Sequence, residues 1–148
     1  MHTRLLCLAV VFIAPQLPAA PAPAPGRQAK EKLEALKKRL PDLVEDWLKK
    51  RPRDNWITRQ WTCKPELRLV RQVGPERAKV VIFFAMFDDT GAPVPSQDVL
   101  LTIFLSYYDG FWTTERSEVA GHLNEKNAVR PTFSSLMLAL DEATEKKP

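Results

Sequence analysis

The chain has 148 residues, 22 Lys and Arg against 18 Asp and Glu, and a formal net charge of +4. That length suits one domain with its own core and leaves little room for a second. With two cysteines, two histidines and five scattered glycines, the chain is poor material for a disulfide framework, a Cys/His zinc site or a glycine-rich phosphate loop.

The first twenty-five residues, MHTRLLCLAVVFIAPQLPAAPAPAP, read as an export address followed by a spacer. Arg4 gives a short positive region, Leu5 to Ala14 an apolar run, and Ala19, Ala20, Ala22 and Ala24 the small residues a signal peptidase requires. The apolar run is too short to span a bilayer, and Pro15 and Pro18 prevent its extension as a helix. We therefore expect a signal peptide over residues 1–20, with cleavage as late as residue 24. An Ala/Pro tether over 21–27 and one domain over 28–148 complete the expected organisation. The expected location is secreted or periplasmic. Cys7 lies inside the apolar run, where a lipoprotein site would not place it.

Charge is uneven along the remainder. Arg27 to Arg53 carries about ten Lys and Arg against five Asp and Glu, whereas the rest is slightly acidic. Ala29, Leu33, Leu36, Leu40, Leu43, Val44, Trp47 and Leu48 recur at spacings of three and four, the signature of an amphipathic helix beginning near Gln28. Pro41 falls within this stripe and predicts a kink or a division into two short helices. The basic residues are read as the helix's solvated face.

From Asn55 the period becomes strand-like. Asn55 to Trp61 and Glu66 to Val73 are two candidate strands, with Cys63-Lys64-Pro65 between them and Gly74-Pro75-Glu76 closing the second. Lys79 to Phe87, KVVIFFAMF, is apolar on both faces, as in a central strand covered on each side or completed by something outside the chain. After a proline-stiffened loop, Val99 to Tyr108 alternates cleanly: Val99, Leu101, Ile103, Leu105 and Tyr107 point one way, Leu100, Thr102, Phe104, Ser106 and Tyr108 the other. Asp109-Gly110 predicts a two-residue type I′ hairpin that sets Tyr108 opposite Phe111 and Tyr107 opposite Trp112. Ser117 to Arg130, which contains His122, has no period and reads as a loop. Pro131 opens a last helix with Phe133, Leu136, Met137 and Leu140 on one face and Lys146 and Lys147 at its end. The expected fold is α+β: an antiparallel four- to five-stranded meander flanked by an N-terminal kinked helix and a C-terminal helix.

Catalytic chemistry has few candidates. Cys63 and His122 could form a thiolate pair only if the fold brought them together, and their spacing does not require it. Asp88, Asp89 and Asp98 bracket a loop but lack the alternate spacing of a calcium loop. Asp109 and Glu115 already have turn and strand-edge roles. We expect no catalytic residue, metal or cofactor.

The aromatic residues near the hairpin are the feature best able to carry function. Leu100, Phe104, Tyr108 and Phe111 should continue onto one face of Lys79 to Phe87 as an apolar patch. The conservative expectation is that the first helix or the 117–130 loop covers it. Left open, it would serve as a ligand groove or a homodimer surface, with Phe104, Tyr108, Phe111 and Trp112 as its binding residues. The expected function is thus a non-catalytic binding or interaction module, for a protein or a small apolar ligand rather than nucleic acid. A small hydrolase using carboxylates or the Cys63/His122 pair, and a protein docking its basic first helix on an anionic surface, remain as alternatives.

Overall fold

The computed structural model describes residues 24–50, 62–121 and 133–145, together with 15, 17, 18 and 21. The expected strand Asn55 to Trp61, most of the leader, His122, Pro131, Lys146 and Lys147 lie outside the described residues.

The order is helix, four strands, helix: α1 (Pro25–Lys50), β1 (Thr62–Gly74), β2 (Arg77–Phe87), β3 (Val99–Tyr108), β4 (Phe111–Ala120) and α2 (Ser134–Glu145). The strands form an antiparallel meander in the order β1-β2-β3-β4. The expected α+β architecture with a helix at each end is observed. Among the described residues, no helix is long and apolar enough to cross a membrane.

The helix α1 begins at Pro25, three residues before the expected start. Ala24 supplies the carbonyl that opens the first turn, accepting from the N–H of Arg27 at 2.9 Å. A proline at the first helical position loses nothing, since its N–H would have no partner there anyway. The helix is also continuous through Pro41 rather than two short pieces. Pro41 and Lys37, the residue whose carbonyl loses its helical donor, both lie on the exposed side of the helix. Leu36, Leu40, Val44 and Trp47, on either side of it, are all buried, and this packing holds the helix together across the missing bond.

The sheet buries one face under both helices. Ala78, Val80, Ile82, Phe84 and Met86 of β2, with Val99, Leu101, Ile103, Leu105 and Tyr107 of β3, make one core with the apolar stripe of α1 and with Phe133, Leu136 and Leu140. Fully burying a leucine, isoleucine or phenylalanine contributes about 1.5–3 kcal/mol, so this double layer dominates the stability. Trp47, Phe84 and Phe133 cluster at its centre, with ring centroids 5.4–6.4 Å apart, Phe84 and Phe133 stacked and Trp47 tilted against both. The two helices run side by side in opposite senses: Trp47 Nε1 donates to Ser135 Oγ at 2.9 Å, and Arg39 Nη1 to the carbonyl of Ala143 at 2.9 Å.

Two strand boundaries lie four residues from the sequence expectation. First, β1 starts at Thr62 and takes in Cys63-Lys64-Pro65, with Pro65 opposite Phe84. This is the sheet's edge, the place where a strand tolerates a residue without an N–H. Second, β4 continues to Ala120, so Ser117 to Ala120 are strand rather than loop. Phe104 pairs with Arg116 and Leu105 with Thr114, leaving Glu115 as an extra residue in a β-bulge. The bulge shifts the side-chain alternation by one, which erases the period from the sequence beyond it.

Candidate functional site

Since α1 and α2 both lie on the Val99–Tyr107 side, the opposite face of the sheet carries no helix among the described residues. Among the described residues neither helix lies across the patch; of the other expected cover, the 117–130 loop, residues 122–130 lie outside the described residues. The patch is built by parity. Val81, Phe83, Ala85 and Phe87 of β2, with Leu100 and Phe104 of β3, alternate with the core residues and are half-buried. Tyr108, at the end of β3, is 79% exposed.

Long cationic side chains lie over these rings. Lys64 Nζ stands 4.9 Å from the centroid of Phe87, and the Arg68 guanidinium carbon 3.9 Å from that of Phe83. Phe104 is flanked by two cations, Arg116 at 3.7 Å and Lys79 at 5.8 Å. Aliphatic stems and flat guanidinium planes thus shield part of each ring while leaving the charge at the surface. Sequence reasoning placed the patch but missed these cations. The signal for Lys79 was available in the alternation of β2. Arg68 and Arg116 were hidden because each sits at or beside a bulge.

The four binding residues expected from sequence separate in the structure. Phe104 lies at the middle of the outer face, and Tyr108 projects from its end. Phe111 sits opposite Tyr108 but is half-buried beneath Lys32 of α1, whose Nζ is 4.7 Å from the ring and donates to the carbonyl of Gly110. Trp112 is 1% exposed, part of the core, with Tyr107 5.1 Å away between ring centroids. The hairpin between them takes the expected shape: Asp109 and Gly110 both have positive φ, 49° and 86°, as a type I′ turn demands.

The residues weighed for other chemistry have identifiable structural roles. Asp88 Oδ1 accepts from the N–H of Thr90 at 2.9 Å, from Thr90 Oγ1 at 2.6 Å and from the N–H of Ala92 at 2.8 Å. The Thr90 hydroxyl first, then the backbone donors, hold its carboxyl below the usual aspartate range. Asp98 Oδ1 accepts from the N–H of Met86 at 2.9 Å. Both carboxylates therefore close the β2–β3 loop. Cys63 is half-buried on the core side of β1, opposite Met86. Within α1, Lys32 and Arg39 make the internal contacts described above, and Arg27 pairs with Glu31 at 3.0 Å. No cluster of metal-ligating side chains occurs among the described residues.

The chain matches no protein-family model, no curated protein and no solved structure. The sheet face has to be read from its own residues. What stands is a small domain with a buried aromatic cluster and a second, aromatic and cationic sheet face.

Proposed function

We propose that this is an exported, non-catalytic binding module whose recognition surface is the outer sheet face, centred on Phe83, Phe87, Leu100 and Phe104 with Tyr108 at its rim. One observation carries the reading: both helices pack on the same side, so among the described residues a sheet face with three phenylalanines is screened by lysine and arginine side chains rather than by a helix. Such a contiguous aromatic surface marks an interaction site in a folded domain. Phe, Tyr and Arg are also the residue types that interfaces concentrate. The leader-like first residues and the Ala/Pro tract support the export part of this reading, and with it a partner outside the cytoplasm.

The test is a photoreactive amino acid at position 81, inside the face, compared with position 37 on the exposed side of α1. Crosslinks to a partner in the native extracytoplasmic fluid are expected from position 81 only. Phe104→Glu should abolish them while the domain stays folded, because the new carboxylate would stand directly between Lys79 and Arg116, its cross-strand neighbours. Equal crosslinking from both positions, or unfolding of Phe104→Glu, would end this reading.

A further inference from the structure

One row of the outer face crosses all four strands. Arg71 of β1 is opposite Lys79 of β2, Lys79 is opposite Phe104 of β3, and Phe104 is opposite Arg116 of β4. Arg116 is satisfied, stacked on Phe104 and ion-paired with Glu118. Arg68, at the irregularity further along β1, is likewise stacked on Phe83 and paired with Glu66 at 3.7 Å. Arg71 and Lys79 are different. They face one another with the same charge, and neither has a carboxylate partner among the described residues. Like charges placed directly opposite on antiparallel strands oppose folding. An anionic group seated between them would turn that repulsion into two charge-assisted contacts.

We propose that the outer face binds an acidic segment of a partner protein, one carboxylate lying between Arg71 and Lys79 and neighbouring aliphatic side chains resting on Val81, Phe83 and Leu100. The proposal rests on the reading of this face as the recognition surface and names its partner class. Charge complementarity selects the occupant. The face presents Lys64, Arg68, Arg71, Lys79 and Arg116 against Glu66 and Glu118, so a second copy laid face to face would set cation against cation. A continuous polyanion fits less well than a peptide, because Glu66 and Glu118 flank the rings and would repel an unbroken run of phosphates. Peptide geometry also matches. Alternate residues of an extended chain repeat every ~6.8 Å, as do Lys79, Val81 and Phe83 along β2. An acidic residue followed at alternate positions by aliphatic ones therefore meets the cation pair and then the apolar strip.

The experiment uses the full chain and a dye-labelled synthetic peptide of glutamate and leucine, with its lysine/leucine counterpart and an oligothymidylate for comparison. Saturable binding of the Glu/Leu peptide is expected at low ionic strength, weakening as salt rises. Arg71→Glu or Lys79→Glu should each weaken it by on the order of tenfold or more. The same substitutions should raise the thermal midpoint, because each converts a like-charged pair into an ion pair; the neutral Arg71→Gln should give a smaller change in both readouts. No saturable binding of the Glu/Leu peptide, unchanged affinity after charge reversal, or preference for the Lys/Leu peptide or the oligothymidylate overturns the proposal. Crosslinks from position 81 that survive Arg71→Glu would leave the outer face a docking surface and remove only its acidic partner. Absence of crosslinks from position 81 in the otherwise unsubstituted chain would remove both.

Discussion

The indole N–H of Trp112 donates to the main-chain carbonyl of Ala29 across 2.9 Å, tying the N-terminal part of α1 to the outermost strand. The carbonyl of the same tryptophan accepts from Thr144 Oγ1 at 2.6 Å, so one residue of β4 joins both helices. Asp141 strengthens the second junction by accepting from the N–H of Thr114 at 2.7 Å and from its hydroxyl at 2.9 Å. These bonds explain why the helices share one side of the sheet. Each is anchored to β4, and among the described residues neither helix reaches across the outer face.

Replacing Trp112 tests this anchoring. Trp112→Phe removes the indole donor and part of the buried volume and should cost about 2 kcal/mol; Trp112→Ala should cost about 3–5 kcal/mol through the larger cavity. Urea denaturation followed by circular dichroism measures both. A loss below about 0.5 kcal/mol for Trp112→Ala would show that the tryptophan is not the junction described.

Gly121 ends β4 with φ of +94°, and a Cβ built there would stand 2.3 Å from the carbonyl oxygen of Asp98. Both the backbone conformation and the contact exclude a side chain, and the obstacle is main chain rather than a rotatable group. Gly121→Ala should therefore destabilise the domain by about 2 kcal/mol or more. It should also loosen the β2–β3 loop, since Asp98 holds the N–H of Met86. An unchanged melting temperature would mean that the close approach is relieved at no cost.

How much of this was legible in the sequence depends on the range of the forces involved. The alternation of Val99 to Tyr108 and the Asp109-Gly110 turn are local signals, dictated by side-chain period and by positive φ, and both appear in the structure as read. Pro65 misled because a proline tolerated at a sheet edge looks, in sequence, like one that ends a strand. Glu115 misled differently: a single bulged residue moved Arg116 and Glu118 to the outer face and made the strand beyond it look aperiodic. The outer face was readable as a patch, yet its cation row was not. The alignment of Arg71, Lys79, Phe104 and Arg116 depends on irregularities within β1 and β4, which no local pattern announces.

Tyr107 is a core residue with an unmet polar group. Its hydroxyl is buried and has no hydrogen-bond partner among the described residues, and desolvation pushes its pKa above the ordinary tyrosine value. Removing an unsatisfied buried hydroxyl without changing the ring relieves a desolvation penalty. Tyr107→Phe should leave stability unchanged or raise it by up to about 1 kcal/mol. A clear loss in thermal denaturation would reveal a partner for the hydroxyl.

Asp88 makes the pH response of the β2–β3 loop directional. Its carboxylate accepts from Thr90 and Ala92, and those bonds favour the charged form in the folded state. A carboxylate with a folded pKa below its unfolded value contributes stability that is complete above the unfolded value and is lost as pH falls through the folded one. The loop contacts should therefore hold through mildly acidic pH and release only below the usual aspartate range. NMR titration should show the Asp88 carboxyl, together with the amide protons of Thr90 and Ala92, moving at a pH lower than a solvent-exposed aspartate would. Asp88→Asn keeps an acceptor oxygen and should preserve the loop while abolishing that titration, whereas Asp88→Ala should remove both. If the Thr90 and Ala92 amides titrated at the ordinary aspartate pH, the carboxylate would not be the group that closes the loop.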